Sequence, residues 1–343
     1  MNITTIGLDL AKNVFTLHGV GERADVVLRR TLKRAQVLPF FAKLAPCVVG
    51  IEACGGAHDW ARRLIALGHD VRLMPASYVK AYIKRGKTDA NDAAAICEAV
   101  TRPAMSFVPV KTPEQQGLLT LHRARRMLVT QKVMLENAIR ALCAEFGIVA
   151  KKGREGIVAL QRLSLASGLP PTALRSLSVQ FRLYEALMAE AAALKQEIVK
   201  LANDDPVSRR LETIPGIGPM IANVVPAVVG DATRFRSGRQ FAAWLGLTPR
   251  LKGTGGKTKL GSISKCGDRY LRSLFVEGAC SVLMAARKPG ARATDWVRSL
   301  AARKDYKVAA VALANKNARI AWALMVKGGR YDPAMLRPAA LAA

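Results

Sequence analysis

Residue types that build zinc sites and disulfide frameworks are scarce in this chain of 343 residues. It has four histidines and six cysteines, and no two cysteines show the Cys-x-x-Cys spacing of a zinc or redox site. We therefore expect the cysteines to be buried apolar side chains in a reducing compartment. They are Cys47, Cys54, Cys97, Cys143, Cys266 and Cys280.

Long hydrophobic runs are also missing, although 50% of the residues are apolar. No run approaches the ~20 residues that span a bilayer, and Asp9 interrupts the apolar N-terminus in a way that argues against a signal peptide. We therefore expect no membrane partner and a cytoplasmic, nucleoid-associated protein of a bacterium. The length suits two or three domains.

Acidic residues are few as well: 25 Asp and Glu face 53 Lys and Arg, which gives a net charge of +28. Solubility alone calls for a charge of only ~2–8 on a small domain, so the excess predicts a polyanionic partner, a nucleic acid. Residues 206–343 hold 24 basic and 7 acidic residues, net +17, against +6 for 1–108 and +5 for 109–205. The C-terminal part is thus the expected phosphate-contacting surface.

The first 110 residues alternate between strand and helix patterns in the order β-β-β-α-β-α-β-α. This order predicts a three-stranded meander followed by parallel strands. The predicted strands are Ile3–Leu10, Asn13–Val20, Asp25–Thr31, Cys47–Ala53, Asp70–Met74 and Phe107–Val110. The predicted helices are Gln36–Leu44, Ala57–Leu67, Ser77–Ile83 and Asp89–Val100.

Two further segments follow. Residues 111–205 predict two long helices, Pro113–Ala144 and Arg175–Asn203, separated by a break at 147–173. Their heptad-like apolar spacing fits an intramolecular helical hairpin and an intermolecular coiled coil equally well. Residues 206–343 form a third, mainly helical domain, and the glycines of its basic stretch Arg250–Arg272 predict a pliable loop in the first half of that stretch.

Four carboxylates carry the chemistry that we expect. Asp9 lies within or just after the first strand, Glu52 lies at the end of the fourth, and Asp89 and Asp92 open a helix on one face. If the two strands are neighbours, the four acids converge, and hard cations such as Mg²⁺ are needed to neutralise them. Each acid also has a simpler explanation, such as a favourable position at a helix N-terminus, and only the combined set is indicative.

The element order with its acids resembles the RNase H-like fold of the RuvC type. Ordered motifs along nearly the whole chain sharpen this resemblance: IGLDLAKN, GIEACGG, KTDANDA, IPGIG, FAAWLGLTPR and GGKTKLGSISKCGDRYLR. Together they resemble the DEDD transposases of the insertion-sequence 110 family.

That resemblance implies an α/β plus α architecture: a RuvC-like catalytic domain at 1–110, a helical coiled-coil segment at 111–205, and a transposase domain at 206–343 with a helix-hairpin-helix. It implies Mg²⁺, two ions per site, at Asp9, Glu52, Asp89 and Asp92. It also implies donor and target DNA, recognised through a structured guide (bridge) RNA. The active form it implies is a tetramer, a dimer of dimers, whose sites combine two subunits.

The family also carries a nucleophilic serine directly before a glycine. The matching position here is Thr254, between Gly253 and Gly255. Threonine keeps the hydroxyl, although its methyl group crowds the attack. Ser262 and Ser264 are the alternative nucleophiles, and a threonine that only hydrogen-bonds the backbone is the simpler interpretation.

Nucleic-acid contacts are expected at two motifs. Gly216 and Gly218 of IPGIG resemble the hairpin of a helix-hairpin-helix, where glycines let the backbone approach phosphate; an ordinary Pro-Gly turn is the alternative. The basic stretch supplies further contacts: Arg250, Lys257, Lys259, Lys265, Arg269 and Arg272.

Three functions are compatible with these features. The leading hypothesis is an RNA-guided transposase that cuts and rejoins DNA to mobilise an insertion sequence. A Holliday-junction resolvase would need the acids but no hydroxyl nucleophile, and the extra C-terminal domain argues against it. A non-catalytic nucleic-acid-binding protein would bind no metal, so a metal titration separates it from the enzymes.

Overall fold

The computed structural model describes residues 2–83, 86, 88–254, 257–288 and 294–333. Their contacts divide the chain into two compact units, Met1–Pro113 and Glu114–Ala343. The first unit is built on a β-sheet with helices, and the second is mainly helical. This architecture agrees with the α/β plus α class expected from the sequence. The finer division into three domains at 110 and 205 stays a prediction.

The N-terminal unit has a mixed sheet of five strands. They are β1 (Thr5–Leu10), β2 (Val14–Val20), β3 (Val26–Lys33), β4 (Val48–Glu52) and β5 (Asp70–Met74). Their order across the sheet is β3-β2-β1-β4-β5. The first three pair antiparallel, whereas β4 is parallel to β1 and β5 to β4. This meander with parallel additions is the topology predicted from the element order, and it is consistent with an RNase H-like domain.

The sixth predicted strand, Phe107–Val110, is reduced to one bridge between Val108 and Leu73. The Val108 N–H donates to the Leu73 carbonyl at 2.8 Å. Pro109 follows directly and has no N–H to offer, so the pairing stops there.

Helices cover the two faces of the sheet. They are α1 (Val37–Phe41), α2 (Ala57–Ala66), α3 (Ala76–Val79) and α4 (Asp89–Val100). Apolar side chains of β1, β2 and β4 pack with α1 and α2 into one core. On the other face α4 lies directly on β1 and β4, because Gly7 and Gly50 carry no side chain. A Cβ at Gly7 would lie 2.1 Å from the carbonyl oxygen of Ala93, and one at Gly50 would lie 2.8 Å from Val100 Cβ.

The C-terminal unit consists of nine helices and a β-hairpin in its described part. The helices are α5 (Pro113–Ala144), α6 (Arg154–Ala166), α7 (Pro171–Asp204), α8 (Pro206–Leu211), α9 (Pro219–Val229), α10 (Gly238–Trp244), α11 (Arg269–Ala286), α12 (Asp295–Arg303) and α13 (Tyr306–Lys327), and the hairpin strands are β6 (Pro249–Thr254) and β7 (Lys257–Ile263). None of the described helices has the length and apolar character needed to cross a membrane.

The expected break at 147–173 is wrong in its centre, where α6 forms. Glycines and prolines at its borders suggested a loop, but Ile157, Leu160 and Ser164 repeat at helical spacing and are buried. They pack with α5 and α7 in one cluster. The Tyr184 hydroxyl of α7 also donates to Glu136 of α5 at 3.0 Å.

An intramolecular helical hairpin is therefore present at this end of α5 and α7. Other apolar side chains of the two helices remain exposed: Met127 at 55%, Met134 at 67% and Leu183 at 55%. These exposed positions leave the intermolecular coiled coil as a prediction.

The basic stretch after Pro249 is an antiparallel β-ribbon where the sequence predicted a pliable loop. Leu251 pairs with Leu260 and Lys252 with Lys259. Gly255 and Gly256, which join the strands, lie outside the described residues, and Gly-Gly is a favoured pair for two-residue hairpin loops. The stretch therefore pairs as two strands on either side of these glycines.

Candidate metal centre

Three of the four predicted acids meet at one end of the sheet. Asp9 lies near the end of β1, and Asp89 and Asp92 lie in the first turn of α4. One carboxylate oxygen of each falls within 4.8 Å of the others. This distance is short enough for one cation to contact all three.

Helix α4 positions two of these acids through its own N-terminus. The Thr88 side chain accepts a hydrogen bond from the Asn91 N–H and caps the helix. The i,i+3 spacing then places Asp89 and Asp92 on one side of the first turn. Because Gly7 and Gly50 let α4 pack directly on the sheet, that side meets the end of β1.

Glu52 occupies the corresponding position on the neighbouring strand. Leu8 pairs with Ile51 in the parallel ladder, so Asp9 and Glu52 are the next residues on adjacent strands. Glu52 is not in the three-acid group, but it acts on the others through its charge. Burial, and then the charge of Asp92, raise the pKa of Glu52.

The cluster is electrostatically unfavourable without a cation. Burial raises the pKa of Asp9 to about 6, with further contributions from Asp89, Asp92 and Glu52 in that order. In addition, Asp92 Oδ1 is buried and has no hydrogen-bond partner among the described residues. Crowded carboxylates, one of which has a buried oxygen that accepts no hydrogen bond, are the kind of ligand set that binds a hard divalent ion. The residues present therefore fit a metal.

Cys54 is a neighbour of the site that sequence reasoning missed. The expectation that all six cysteines are buried is wrong for three of them, because Cys54 and Cys266 are exposed and Cys280 is half-buried. The pKa of the Cys54 thiol is raised, first by partial burial of its sulfur and then by the negative charges of Glu52 and Asp9. The signal was available in the sequence, since Cys54 stands two residues after Glu52.

The predicted nucleophile belongs to the other unit. Thr254 ends β6, and its backbone pairs with Lys257, while its side chain lies outside the part of the chain that the structure describes. The alternatives differ in exposure: Ser262 is exposed on β7, whereas Ser264 is half-buried. The Ser264 hydroxyl accepts the Cys266 N–H at 3.4 Å.

The predicted phosphate contacts divide into two groups. Lys257, Lys259, Lys265 and Arg269 are exposed. By contrast, the Arg250 guanidinium donates to the Ser264 carbonyl at 2.9 and 3.2 Å. Arg272 Nη1 donates to the Leu245 and Cys266 carbonyls at 3.1 and 2.9 Å. These two arginines bind the backbone on either side of the hairpin.

The IPGIG motif also serves packing. Gly216 has φ +88°, and a Cβ there would lie 2.7 Å from the Gly278 carbonyl oxygen of α11. The Asn317 side chain donates to the Pro215 carbonyl at 2.8 Å. Gly218 is the exposed N-cap of α9, so of the two glycines it is the one that faces solvent.

A mixed sheet with this strand order, and with carboxylates where β1, β4 and α4 meet, defines a class: nucleic-acid-processing enzymes with an acidic metal site. Comparison with known proteins agrees. A DEDD transposase profile of the IS110 type matches residues 6–147. The profile of the transposase IS116/IS110/IS902 family matches residues 208–294.

Whole-length relatives carry similar descriptions. A probable family 20 transposase of Pseudomonas aeruginosa is 48% identical, over 97% of this chain and 100% of that protein. The transposase for insertion sequence element IS1328 of Yersinia enterocolitica is 39% identical, over 95% and 98%. The transposase for IS1111A of Coxiella burnetii is 38% identical, over 96% and 92%. The chain belongs to the IS110 family of insertion-sequence transposases and is a DNA transposase.

Proposed function

We propose that this transposase cuts and rejoins DNA strands at Asp9, Glu52, Asp89 and Asp92, which bind two Mg²⁺ ions. The observation that carries the proposal is the three-acid group within 4.8 Å, together with the partnerless, buried Asp92 Oδ1. Bound divalent ions at such a site activate an attacking oxygen and stabilise a leaving one. The protein's part is to hold the acids on a rigid strand end and helix turn.

Metal binding is tested by calorimetric titration of the full chain with MgCl₂ and with MnCl₂. Asp92→Asn keeps the shape of the side chain and removes its charge, so we expect at least a tenfold loss of affinity. Asp25→Asn, in the exposed turn between β2 and β3, makes the same change away from the cluster and should leave the titration unchanged. Unaltered binding by Asp92→Asn would contradict the proposed site.

The second part of the proposal is a hydroxyl nucleophile, with Thr254 first and Ser262 or Ser264 as alternatives. The hydroxyl oxygen bonds to the scissile phosphorus while the phosphorus–oxygen bond to the sugar breaks. The hydroxyl loses its proton, and the departing sugar oxygen gains one. Attack by the sugar hydroxyl of another DNA end then restores a phosphodiester and frees the side chain. No external energy source is consumed.

This step predicts a protein–DNA adduct that survives denaturation. Wild type incubated with DNA carrying the ends of its insertion sequence should yield the adduct, and Thr254→Ala should not. Thr258→Ala removes a neighbouring threonine of the same hairpin and serves as the control. If Ser262→Ala or Ser264→Ala alone abolishes the adduct, the nucleophile is that serine.

Guide RNA and tetramer assembly complete the proposal, supported by the family resemblance and by a net charge of +28. Purified protein, the RNA transcribed from the non-coding DNA beside the gene, Mg²⁺, donor DNA and target DNA should together give strand exchange. Omitting the RNA should abolish exchange, and light scattering should show four chains in the complex. Full exchange by Asp9→Ala would refute the role of the acids.

A further inference from the structure

A cavity of about 760 Å³ adjoins the acid cluster within the N-terminal unit. Its floor is the face of β2 and β3 that extends past α4, and α4 forms its wall. We call it the α4 groove. The ladder places Thr16 opposite Asp9 and Thr31 opposite Thr16, and both threonines line the groove. The groove therefore begins beside the candidate metal ligands and runs away from them across the sheet.

The lining of the α4 groove is cationic. Two arginines, Arg29 and Arg102, lie beside one carboxylate, Glu98. Glu98 pairs with Arg102 at 2.5 Å, whereas the Arg30 guanidinium lies 5.4 Å from the Phe40 ring centre, on the face of the sheet opposite to Arg29. Arg29 is exposed and makes no salt bridge within the described ranges. It stands opposite His18, which itself stands opposite Gly7, on the face that α4 covers.

One aromatic ring completes the lining. Tyr82 is half-buried, and its ring centre lies 6.0 Å from the Arg102 guanidinium. The α4 wall opposite β2 carries the small side chains Ala90 and Ala94, which leave room between helix and sheet. A cationic groove with a stacking ring is the arrangement that binds single-stranded nucleic acid.

The volume of the groove favours a single nucleic-acid strand over a duplex as its ligand. A cavity of this volume falls within the range of sites for small ligands, about 300–1,000 Å³, and so holds one or two unstacked nucleotides. We propose that the α4 groove binds the single DNA strand next to the bond that is cut, with Arg29 and Arg102 on its phosphates and Tyr82 on a base. The inference rests on the proposed function only in assigning the cut to the adjacent acids.

The test uses the full chain and photo-crosslinking, which reports the location of binding despite the basic C-terminal unit. The probe is a 12-nucleotide oligothymidylate with a central 5-iododeoxyuridine, and the protein carries Asp9→Asn to prevent cleavage. Ultraviolet light should link the probe to the tryptic peptide of residues 81–84, which contains Tyr82. Unlabelled single-stranded DNA should compete better than duplex DNA or single-stranded RNA of the same sequence.

Two variants make the assignment specific. Arg29→Ala should reduce the crosslink to residues 81–84 about tenfold, the loss typical of one charge-assisted contact. It should also lower the salt dependence of oligothymidylate binding by about 0.7 in logarithmic slope. Lys43→Ala, an exposed cation in the turn after α1, should change neither value.

Crosslinks confined to other peptides, preference for duplex or RNA, or a crosslink from residues 81–84 to a second protein chain would each overturn the groove assignment. Failure of the proposed function is seen separately. If Asp92→Asn binds Mg²⁺ like wild type while the crosslink persists, the metal site is wrong and the α4 groove stands. If Asp92→Asn loses Mg²⁺ binding as expected while the crosslink to residues 81–84 is absent, the metal site stands and the groove assignment is wrong.

Discussion

The two units arrange the charged side chains of their candidate sites differently. In the N-terminal unit, Asp9, Asp89 and Asp92 lie together where β1 and α4 meet, with Glu52 on the neighbouring strand, and burial followed by the nearby negative charges raises the pKa of Asp9 and Glu52. In the C-terminal unit, the positive charge is spread: residues 206–343 carry +17, and four predicted phosphate contacts are exposed side chains on or near the hairpin. A metal site needs ligands held close together, whereas a polyanion is bound by many separate charges.

Glycine substitutions should give the largest difference in response between the two units, because in each unit a glycine allows two backbone segments to pack closely. Gly7→Ala forces a Cβ to 2.1 Å from the Ala93 carbonyl oxygen, and Gly278→Ala forces one to 1.9 Å from the Gly216 carbonyl oxygen. We expect each to lower the free energy of unfolding of its own unit by about 3 kcal/mol. Hydrogen exchange resolved by segment measures the effect.

Gly7→Ala should therefore abolish Mg²⁺ binding and leave DNA binding by the C-terminal unit intact, and Gly278→Ala should do the reverse. Gly55→Ala is the stability control, because a Cβ at Gly55 meets nothing within 4 Å. Loss of protection in both units from either single change would mean that they do not behave as independent structures.

The next largest difference is expected between the replacement of an arginine and the replacement of a lysine near the hairpin, in stability and in DNA binding. Arg272→Ala removes the donor to the Leu245 and Cys266 carbonyls and should destabilise the C-terminal unit by about 2 kcal/mol. Lys257→Ala should leave stability unchanged and reduce the logarithmic salt slope of duplex binding by about 0.9. Thermal unfolding and salt-dependent anisotropy check the pair. A stable Arg272→Ala with weakened DNA binding would assign that arginine to phosphate instead.

The acid cluster predicts a smaller, pH-dependent effect in metal-free protein. A carboxyl whose pKa is higher in the folded state opposes folding once it ionises, so wild type should lose stability as the pH rises from about 4 through about 6. Asp9→Asn removes this penalty. Because Asp9 is only half-buried, the gain at pH 8 should be about 1 kcal/mol, with no difference near pH 4.

Urea unfolding in the presence of a chelator measures this gain. Asp25→Asn, an exposed acid outside the cluster, should show no such pH-dependent difference. A destabilised Asp9→Asn at pH 8 would show that the carboxylate is held by partners rather than repelled by neighbours.

The smallest expected effect lies in α5. Gly117 is a helix-interior glycine whose added Cβ would meet nothing within 4 Å. Gly117→Ala should stabilise the C-terminal unit by up to about 1 kcal/mol, because alanine loses less backbone entropy on folding. Differential scanning calorimetry detects the shift. A decrease in stability would indicate that position 117 is covered in the assembled protein.

The sheet topology and the four acids could be predicted from sequence because both leave local signals. β-branched runs and short connections indicate the order of elements along the chain, and the i,i+3 spacing fixes the common side of Asp89 and Asp92. The pairing of β6 with β7 was missed because the glycines of this stretch suggested a loop. Helix α6 was missed because the glycines and prolines at its borders suggested a loop, although its apolar residues repeat at helical spacing.

Some residues gave no local signal at all. His122 is buried between three helices, where its Nε2–H donates to Asn223 Oδ1 at 3.0 Å and its Nδ1 accepts the Tyr270 hydroxyl at 3.1 Å. Burial lowers its pKa, so the neutral ring is the form that joins α5, α9 and α11. Sequence separations of 101 and 148 residues hide both contacts.

The sequence by itself determined the class of partner and the order of elements, and it singled out the acids as candidates, because charge, periodicity and short-range spacing are local properties. Only the tertiary structure decided which acids meet, which arginines donate to backbone carbonyls, and where a groove opens beside the cluster. These outcomes depend on how closely α4 lies on the sheet and on the contacts that distant segments make, and both are set by packing.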